Sequence, residues 1–362
     1  MKRIMFTATL LMAVLGVCAA PNKNEVRKLR DFLQTESVHN KANYVQLGVS
    51  INDPASWNGV TWSNDGHVTA IDWHDKKLCG QLDVSGFAAL QSIDVSRNEI
   101  TMVNVSGCTA LQSLDVSRNH LSQLVLDNCP RLVAINCYRN RLTDMSVEGT
   151  PMLKMLNCTG NLFVTLNVSG APMLETLYAQ NCHLEVLDVD SCNNLHTLYC
   201  GYNHLTSLTL VGVDALKHLN IDNNNIEKLY IQDLASLATL SCSENNMTQL
   251  ALVNCTALMD LICSDNDLTT IDLDGTRKLS FVDCSYNDLT TLNLSNQLML
   301  ERLICNNNQL MTLDVSQCPN LMYVDCRYNQ ISDFRAMGDT NLRMVANQWN
   351  FVDDSQKFFC HP

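Results

Sequence analysis

Cysteine is the residue type that most invites a chemical interpretation in this chain of 362 residues, which contains 17 of them. Thirteen fall into two sets whose members are separated by multiples of 21 residues. Regularly spaced thiols can form disulfides, bind a metal or pack as small apolar groups. Other units place Val, Ala, Ile or Leu in the same slots, and no C-x-x-C pair occurs, so we expect buried free thiols. The two sets are Cys137, Cys158, Cys200, Cys242, Cys263, Cys284, Cys305 and Cys326, and Cys108, Cys129, Cys192, Cys255 and Cys318.

Asparagine recurs with the same period, three residues after the first cysteine slot. A stack of carboxamides at a turn can bond backbone groups that would otherwise be buried without partners. The sequence therefore predicts a structural ladder, in which Cys182 replaces one asparagine and still offers a weak donor. Its members are Asn98, Asn119, Asn140, Asn161, Asn203, Asn224, Asn245, Asn266, Asn287, Asn308, Asn329 and Asn350.

Residues that commonly carry catalysis are scattered. His183 and His204 lie one period apart, but no third metal ligand accompanies them. The sequence has no glycine-rich phosphate loop, G-x-S-x-G elbow, H-E-x-x-H motif or paired-carboxylate cleft. We therefore expect no metal, no cofactor and no enzymatic activity.

Aromatic side chains favour one half of each repeating unit. Outward positions of the first half carry eight aromatic side chains, whereas Tyr230 is the only one in the second half. Tyrosine offers a large, rigid contact area with a polar tip, which suits a binding surface. The alternative is that these tyrosines are ordinary strand formers. The predicted partner-binding residues form two groups, Tyr138, Tyr178, His196, Tyr199 and Tyr202, and Ile262, Phe281, Tyr286, Ile304, Tyr323 and Tyr328, the second edged by Asp260, Asp265, Asp283 and Arg302.

Leucines set the frame that must position these residues. From Leu90 to Leu342 a leucine occurs every 21 residues, within a pattern L-x-x-L-x-C-x-x-N-x-L such as Leu195 to Leu205. This pattern resembles the leucine-rich repeat family, and its nested second half resembles the short bacterial members. The resemblance implies a solenoid in which the asparagines form a structural ladder.

Both halves of each unit alternate apolar and polar residues, and neither is long enough for a helix. The sequence thus predicts a β-rich leucine-rich repeat solenoid of about 14 turns, with parallel strands on both long sides and little helix. The expected segments are a signal peptide at 1–19, an N-terminal cap at 20–67 with a helix over Glu25–Leu33, repeats at 68–352 and a C-terminal cap at 353–362.

The first residues have the composition of a secretory signal. Lys2 and Arg3 precede an apolar run, Met5 to Val17, which is too short to span a bilayer as a mature helix. We expect cleavage after Ala19, with the mature chain at the cell surface, in the periplasm or secreted. The alternative is a lipid anchor on Cys18, although Val17 departs from the lipoprotein pattern. The signal and repeat type together suggest a Bacteroidetes-like bacterium.

Charge narrows the choice of partner. The formal net charge is −13, which disfavours nucleic acid because a phosphate backbone would be repelled. We expect a protein or peptide partner on the first-half face. A glycan-binding role and a purely structural role in assembly are the two alternatives.

Overall fold

The structure is a computed structural model, and it describes residues 19–37, 40–336, 341–348 and 350–351. The predicted signal peptide up to Cys18 and the predicted C-terminal cap at 353–362 lie outside the described residues. Within the described part of the chain, no helix is long and apolar enough to cross a membrane.

Two helices precede the repeats. Helix α1 (Lys23–Leu33) begins after Asn22, whose side chain accepts hydrogen bonds from the backbone amides of Asn24 and Glu25. This helix includes the segment predicted from sequence. Its apolar side buries Leu29, Phe32 and Leu33 against the first units. Helix α2 (Asn43–Leu47) and a 3-10 turn (Pro54–Ser56) follow.

A buried carboxylate fastens α1 to the first repeat. Glu25 accepts hydrogen bonds from the amide of Val68 at 2.7 Å and from Nδ1 of His67 at 2.9 Å. The Phe32 ring also stacks on Trp73, with ring centroids 5.8 Å apart. These contacts cover the open end of the apolar core, which a solenoid must shield from water.

Twenty-four short strands, joined by turns, follow in the described chain. In chain order they are β1 (Val60–Trp62), β2 (Val68–Asp72), β3 (Cys79–Asp83), β4 (Ser92–Asp94), β5 (Glu99–Asn104), β6 (Ser113–Asp115), β7 (Gln123–Val125), β8 (Ala134–Asn136), β9 (Met155–Asn157), β10 (Thr165–Asn167), β11 (Thr176–Tyr178), β12 (Val186–Asp188), β13 (Thr197–Tyr199), β14 (His218–Asn220), β15 (Lys228–Gln232), β16 (Thr239–Ser241), β17 (Gln249–Val253), β18 (Asp260–Ile262), β19 (Phe281–Asp283), β20 (Arg302–Ile304), β21 (Thr312–Asp314), β22 (Tyr323–Asp325), β23 (Asp333–Arg335) and β24 (Met344–Ala346).

One long side of the solenoid is a single 15-stranded sheet, ordered β1-β2-β4-β6-β8-β9-β11-β13-β14-β16-β18-β19-β20-β22-β24. Its outward side is called the first face below. All its pairings are parallel except that of β1 with β2. Residues 21 apart lie opposite each other, as Leu177 and Leu198 do, so the leucines stack into one core. The predicted leucine-rich repeat fold is therefore confirmed.

The asparagines lie where each strand of this sheet ends. Asn224, for example, donates from Nδ2 to the carbonyls of Cys200 and Ile221, at 3.1 and 3.0 Å. Its Oδ1 accepts from the amide of Leu205 at 3.0 Å. Each such side chain thus bonds the turn before its own as well as its own strand end. Cys182 takes the same position, and its Sγ donates to the carbonyls of Cys158 and Gln180.

All fifteen cysteines that the structure describes are free thiols, and all but Cys79 are buried. Burial raises the pKa of the Cys200 thiol to about 12, because the core disfavours the thiolate. Cysteines on neighbouring parallel strands take one slot in the core as small apolar groups, and two of them, Cys158 and Cys284, also donate from Sγ to a carbonyl of the next unit.

The other long side, called the second face below, differs from the expectation of a strand in every unit. It has a three-stranded sheet, β3-β5-β7, and three pairs, β10-β12, β15-β17 and β21-β23. The described segments that lack a strand here lie at 142–147, 205–210, 268–273 and 289–294.

The residue that follows each second-face segment explains part of this interruption. Cys108, Cys129 and Cys192 each donate from Sγ to the carbonyl 24 residues earlier, which bridges two strands that pair. The four segments without a strand are instead followed by Thr150, Val213, Thr276 and Gln297. The two threonines donate to a carbonyl of their own turn, three residues earlier, and not to the carbonyl 24 residues earlier. Gln297 does donate to the previous turn, and Cys318 donates from Sγ to the carbonyl of Leu294, so this account does not cover the segment at 289–294.

Candidate binding surface

The first face presents its side chains in regular rows, because every strand is in the same register. In most of its three-residue strands, such as β13 and β19, the central residue is buried and the two flanking residues point outward. The residue two positions before the ladder asparagine is half-buried or buried, as Tyr138 and Ser285 are, and the next residue turns the chain with positive φ. The predicted binding residues fall into these rows.

The first predicted group is brought together only in part. Tyr178 and Tyr199 lie opposite each other on β11 and β13, and their rings meet edge to face with centroids 5.6 Å apart. Tyr202 follows in the turn after β13, where it has φ +58° and is 57% exposed. His196 lies at the other end of β13 and is half-buried.

Tyr138 occupies a different environment from the other tyrosines of its group. It follows β8, and β9 separates that strand from β11, which carries Tyr178. The guanidinium carbons of Arg118 and Arg139 lie 5.4 and 5.1 Å from its ring centroid. Tyr138 therefore belongs to a cluster of arginines and not to the tyrosine pair.

The second predicted group surrounds an arginine. Phe281, Arg302 and Tyr323 are consecutive partners on β19, β20 and β22. The Arg302 guanidinium carbon lies 5.3 Å from the centroid of the Phe281 ring and 5.1 Å from that of Tyr323. Both rings are half-buried and Arg302 is exposed. An arginine held between two aromatic rings keeps its N–H donors in a fixed plane, ready for a carboxylate.

The remaining members of this group lie in the neighbouring rows. Ile262 and Ile304 are half-buried on β18 and β20, whereas Tyr286 and Tyr328 are exposed at positive-φ turn positions. Sequence reasoning missed the methionines beside them. Met259, Met322 and Met344 are 46%, 37% and 47% exposed. Reading the outward slots of the 21-residue register would have found them. We call Met259, Ile262, Phe281, Arg302, Ile304, Met322, Tyr323 and Met344 the C-terminal patch.

Acidic residues edge this patch, as the sequence indicated. Asp260 and Asp283 are half-buried on β18 and β19, and Asp265 lies exposed in the intervening turn. Partial burial and the nearby Glu244 raise the pKa of the Asp265 carboxyl. The chain end nearest α1 is different, since the corresponding turn positions there carry arginine.

A few shallow grooves accompany these rows. One of about 410 Å³ is lined by His183, His204 and Tyr202, and the two imidazole rings are 5.7 Å apart. Another of about 360 Å³ lies on the second face between Leu208 and Tyr230, beside a segment without a strand.

The groove beside α1, of about 420 Å³, includes Lys28 and Asp83. Lys28 Nζ donates to the Asp83 carboxylate at 3.0 Å and to the hydroxyl of Ser85. A serine–lysine pair that catalyses hydrolysis needs its lysine to accept a proton. Here the ammonium acts as a donor to a carboxylate, which is the geometry of a structural ion pair.

One cluster of the described residues has the donor types of a metal site. Donor atoms of Asp72, His74 and Asp94 lie within 4.8 Å of one another. His74 Nδ1 already bonds Asp72 Oδ1 at 2.6 Å, and this hydrogen bond raises the pKa of His74. Asp94 in turn accepts the amide of Ser96 at 2.9 Å. The cluster is thus a surface ion pair with its own partners.

Comparison with known proteins supports the fold. No family model matches the sequence, and no curated protein matches it. The functional domain of InlJ from Listeria monocytogenes, which includes a cysteine ladder, is 25% identical and has a TM-score of 0.57 over 77% of this chain and 69% of that one. A leucine-rich repeat protein of Leptospira interrogans is 17% identical, with a TM-score of 0.60 over 76% of this chain and 91% of that one. The plant peptide hormone receptor RGFR1, in complex with RGF2, is 19% identical, with a TM-score of 0.53 over 76% and 54%.

Proposed function

We propose that this chain is an exported bacterial binding protein that captures another protein on its first face. The observation that carries the proposal is the C-terminal patch, in which Phe281 and Tyr323 enclose Arg302 on three consecutive strands. Interface cores are enriched in aromatic residues, methionine and arginine, and this patch consists of those types and two isoleucines. The plant peptide hormone receptor RGFR1, which has a similar fold, binds its partner RGF2, and this supports a role in interaction.

The patch is built to bind with little loss of conformational freedom. Its strands β18, β19, β20 and β22 have registers fixed by neighbours on both sides, and Met344 lies on the edge strand β24. Arg302 has no ion-pair partner among the described residues, and the two rings already restrict its rotation. A carboxylate of the partner can therefore pair with Arg302 while the methionines and isoleucines bury apolar surface around it.

Tyr178, Tyr199 and Tyr202 are proposed as a second contact region for the same partner. They lie on β11, on β13 and in the turn that follows it, whereas the C-terminal patch begins at β18. Strands β14 and β16 lie between the two regions. From β11 to β24 there are eight strand spacings, so at about 4.8 Å per strand a partner that covers both regions would extend over roughly 38 Å.

The test is a capture experiment with the mature chain, beginning at residue 20, against extracellular proteins and polysaccharides. In one variant Phe281→Ser and Tyr323→Ser remove the rings that enclose Arg302. Tyr230→Ser is the matched control, because Tyr230 is a 62% exposed strand tyrosine on the second face. We expect a protein partner that the control retains and the patch variant loses, with both variants folded by circular dichroism.

The broader variant, with Tyr199, Tyr202, Phe281 and Tyr286 all changed to serine, is expected to abolish binding. If the Phe281/Tyr323 variant binds the captured partner as tightly as the unchanged chain does, the C-terminal patch is excluded as the site. Capture of polysaccharides alone by this face would favour the glycan-binding alternative.

Export is proposed on the composition of residues 1–19, where two basic residues precede the apolar run. N-terminal sequencing of the protein recovered from its source would test this, with Ala20 expected as the first residue. A chain that begins with a lipid-modified Cys18 would support the anchored alternative, and an unprocessed Met1 in the cytoplasm would contradict export.

A further inference from the structure

Three arginines occupy the same turn position in consecutive units near α1. Arg97, Arg118 and Arg139 each have positive φ, at +57°, +54° and +53°. This conformation favours glycine and asparagine, and Asn181, Asn223 and Asn307 do occupy the position in later units. The arginines therefore take a backbone position for which their type is not suited. We call these three residues the basic ridge.

The backbone of the ridge is firmly placed. The amides of Arg97, Arg118 and Arg139 donate to carbonyls of the next unit, at 2.9, 2.7 and 2.8 Å. Successive guanidinium groups thus start from points about 4.8 Å apart along the solenoid, the spacing of neighbouring strands. The ridge is a row of regularly spaced backbone positions that each carry a positive side chain.

These charges are exposed and without ion-pair partners among the described residues, although the chain as a whole has a net charge of −13. By contrast, Arg327 and Arg335 each pair with an aspartate two residues away. The first-face strand carboxylates nearest in sequence to Arg97 and Arg118, those of Asp94 and Asp115, bond Ser96 and Ser117 instead. Like charges on neighbouring strands repel, so an external anion would stabilise the row.

Tyr138 orders part of the ridge. Its ring lies 5.4 Å from the Arg118 guanidinium carbon and 5.1 Å from that of Arg139. Stacking on a ring leaves the N–H edges of a guanidinium free for bidentate hydrogen bonds to a carboxylate or sulfate. The two arginines are therefore partly fixed in orientation before any ligand binds.

The surroundings of the ridge are polar. In the described chain from Gln46 to Pro151, no large apolar side chain is exposed, whereas the next exposed one is Met152. Protein interfaces have an apolar, aromatic core, which this part of the surface lacks. The surface instead fits a ligand that is itself polar, regular and anionic.

We propose that the basic ridge binds an acidic polysaccharide lying along the axis of the solenoid. A chain of hexuronic acids has one carboxylate per sugar, and each sugar advances the chain by about one strand spacing. An extended peptide advances about 3.3 Å per residue, which is shorter than the spacing of the ridge. This inference concerns a different surface from the C-terminal patch and does not depend on the proposed protein partner.

The experiment measures binding of oligogalacturonate to the mature chain by calorimetry, at low and at high ionic strength. The matched ligand is the same oligosaccharide with its carboxylates reduced to alcohols, and poly-L-glutamate represents an acidic peptide. One variant changes all three ridge arginines to asparagine, the residue found at this position in other units. The control variant removes three positive charges elsewhere on the surface, by Arg131→Gln, Arg277→Gln and Arg343→Gln.

We expect oligogalacturonate to bind, with an affinity that falls as salt increases, and the reduced oligosaccharide not to bind. The ridge variant should bind about tenfold more weakly or worse, since three charge pairs are lost together, and the control should match the wild type. Absence of binding at low salt, equal losses in both variants, or binding of poly-L-glutamate but not oligogalacturonate would each overturn the proposal. Capture of a protein partner should be unchanged in the ridge variant, which separates this result from a failure of the proposed function.

Discussion

The ladder asparagine Asn224 offers the sharpest test of how the repeats are held together. Replacing it by alanine removes the acceptor of the Leu205 amide and the donor to the carbonyls of Cys200 and Ile221. The two carbonyls keep one partner each, because the neighbouring ladder residues Asn203 and Asn245 also bond them. The Leu205 amide is left buried without its partner, which is the main loss.

The magnitude follows from these contacts. An orphaned buried amide costs roughly 1–3 kcal/mol, and each of the two lost carbonyl bonds contributes roughly 0.5–1 kcal/mol. We therefore expect Asn224→Ala to lower the free energy of unfolding by about 3 kcal/mol. Asn225→Ala is the matched control, since Asn225 is the adjacent exposed asparagine, and it should change stability by less than about 0.5 kcal/mol.

Urea unfolding followed by circular dichroism measures the difference, and hydrogen exchange localises it. Solenoids need not unfold in one step, so faster exchange at the Leu205 amide is the more direct readout. The reasoning fails if Asn224→Ala loses less than about 1 kcal/mol and leaves exchange at that amide unchanged. In that case the ladder would be a consequence of packing and not a source of stability.

Two further perturbations test the end of the core and its thiols. Glu25→Ala should lower the free energy of unfolding by about 2 kcal/mol, because the Val68 amide loses its buried acceptor. Glu25→Gln should recover part of this loss. Equal stability of the two variants in urea would contradict the role of this hydrogen bond. Stability should also fall as the pH rises from about 9 towards 12, since the Cys200 thiol has a pKa of about 12 in the folded chain against its ordinary 9.0. The stabilisation that comes from the neutral Cys200 thiol is complete below pH 9. It is lost between about pH 9 and pH 12, at up to roughly 1.4 kcal/mol per pH unit for one thiol. Cys200→Ala should therefore show a shallower decline between pH 8 and pH 10.5 in urea, and identical slopes would refute this account.

The sequence alone predicted the fold, because a solenoid repeats one local arrangement. In each 21-residue unit the alternation of residues such as Leu198, Tyr199 and Cys200 predicts which side chains point inward and which point outward. Stacking in register then places equivalent residues side by side, so residues 21 apart in the sequence are neighbours in the structure. For this reason the sequence predicted the buried cysteine slots and placed Tyr178 and Tyr199 in one group, and the structure pairs them.

Other features were decided only by the tertiary structure, because they depend on the direction of side chains and on which of several hydrogen bonds forms. The position of Tyr138 between Arg118 and Arg139 requires the geometry of a turn, which the repeat pattern does not specify. The enclosure of Arg302 by Phe281 and Tyr323 likewise depends on where a long, flexible side chain settles.

The interruptions of the second face have the same origin. The first face has a strong donor and acceptor at the end of nearly every described strand, because a carboxamide occupies the ladder position. At the corresponding position of the second face a cysteine bridges two turns, whereas Thr150 and Thr276 bond within their own turn. The alternation of apolar residues is the same in both cases, so the sequence pattern predicts a strand in each. The carbonyl that accepts from this side chain is decided only when neighbouring turns are stacked. A hydrogen bond to the previous turn, in place of one within the same turn, helps to set where the second sheet continues.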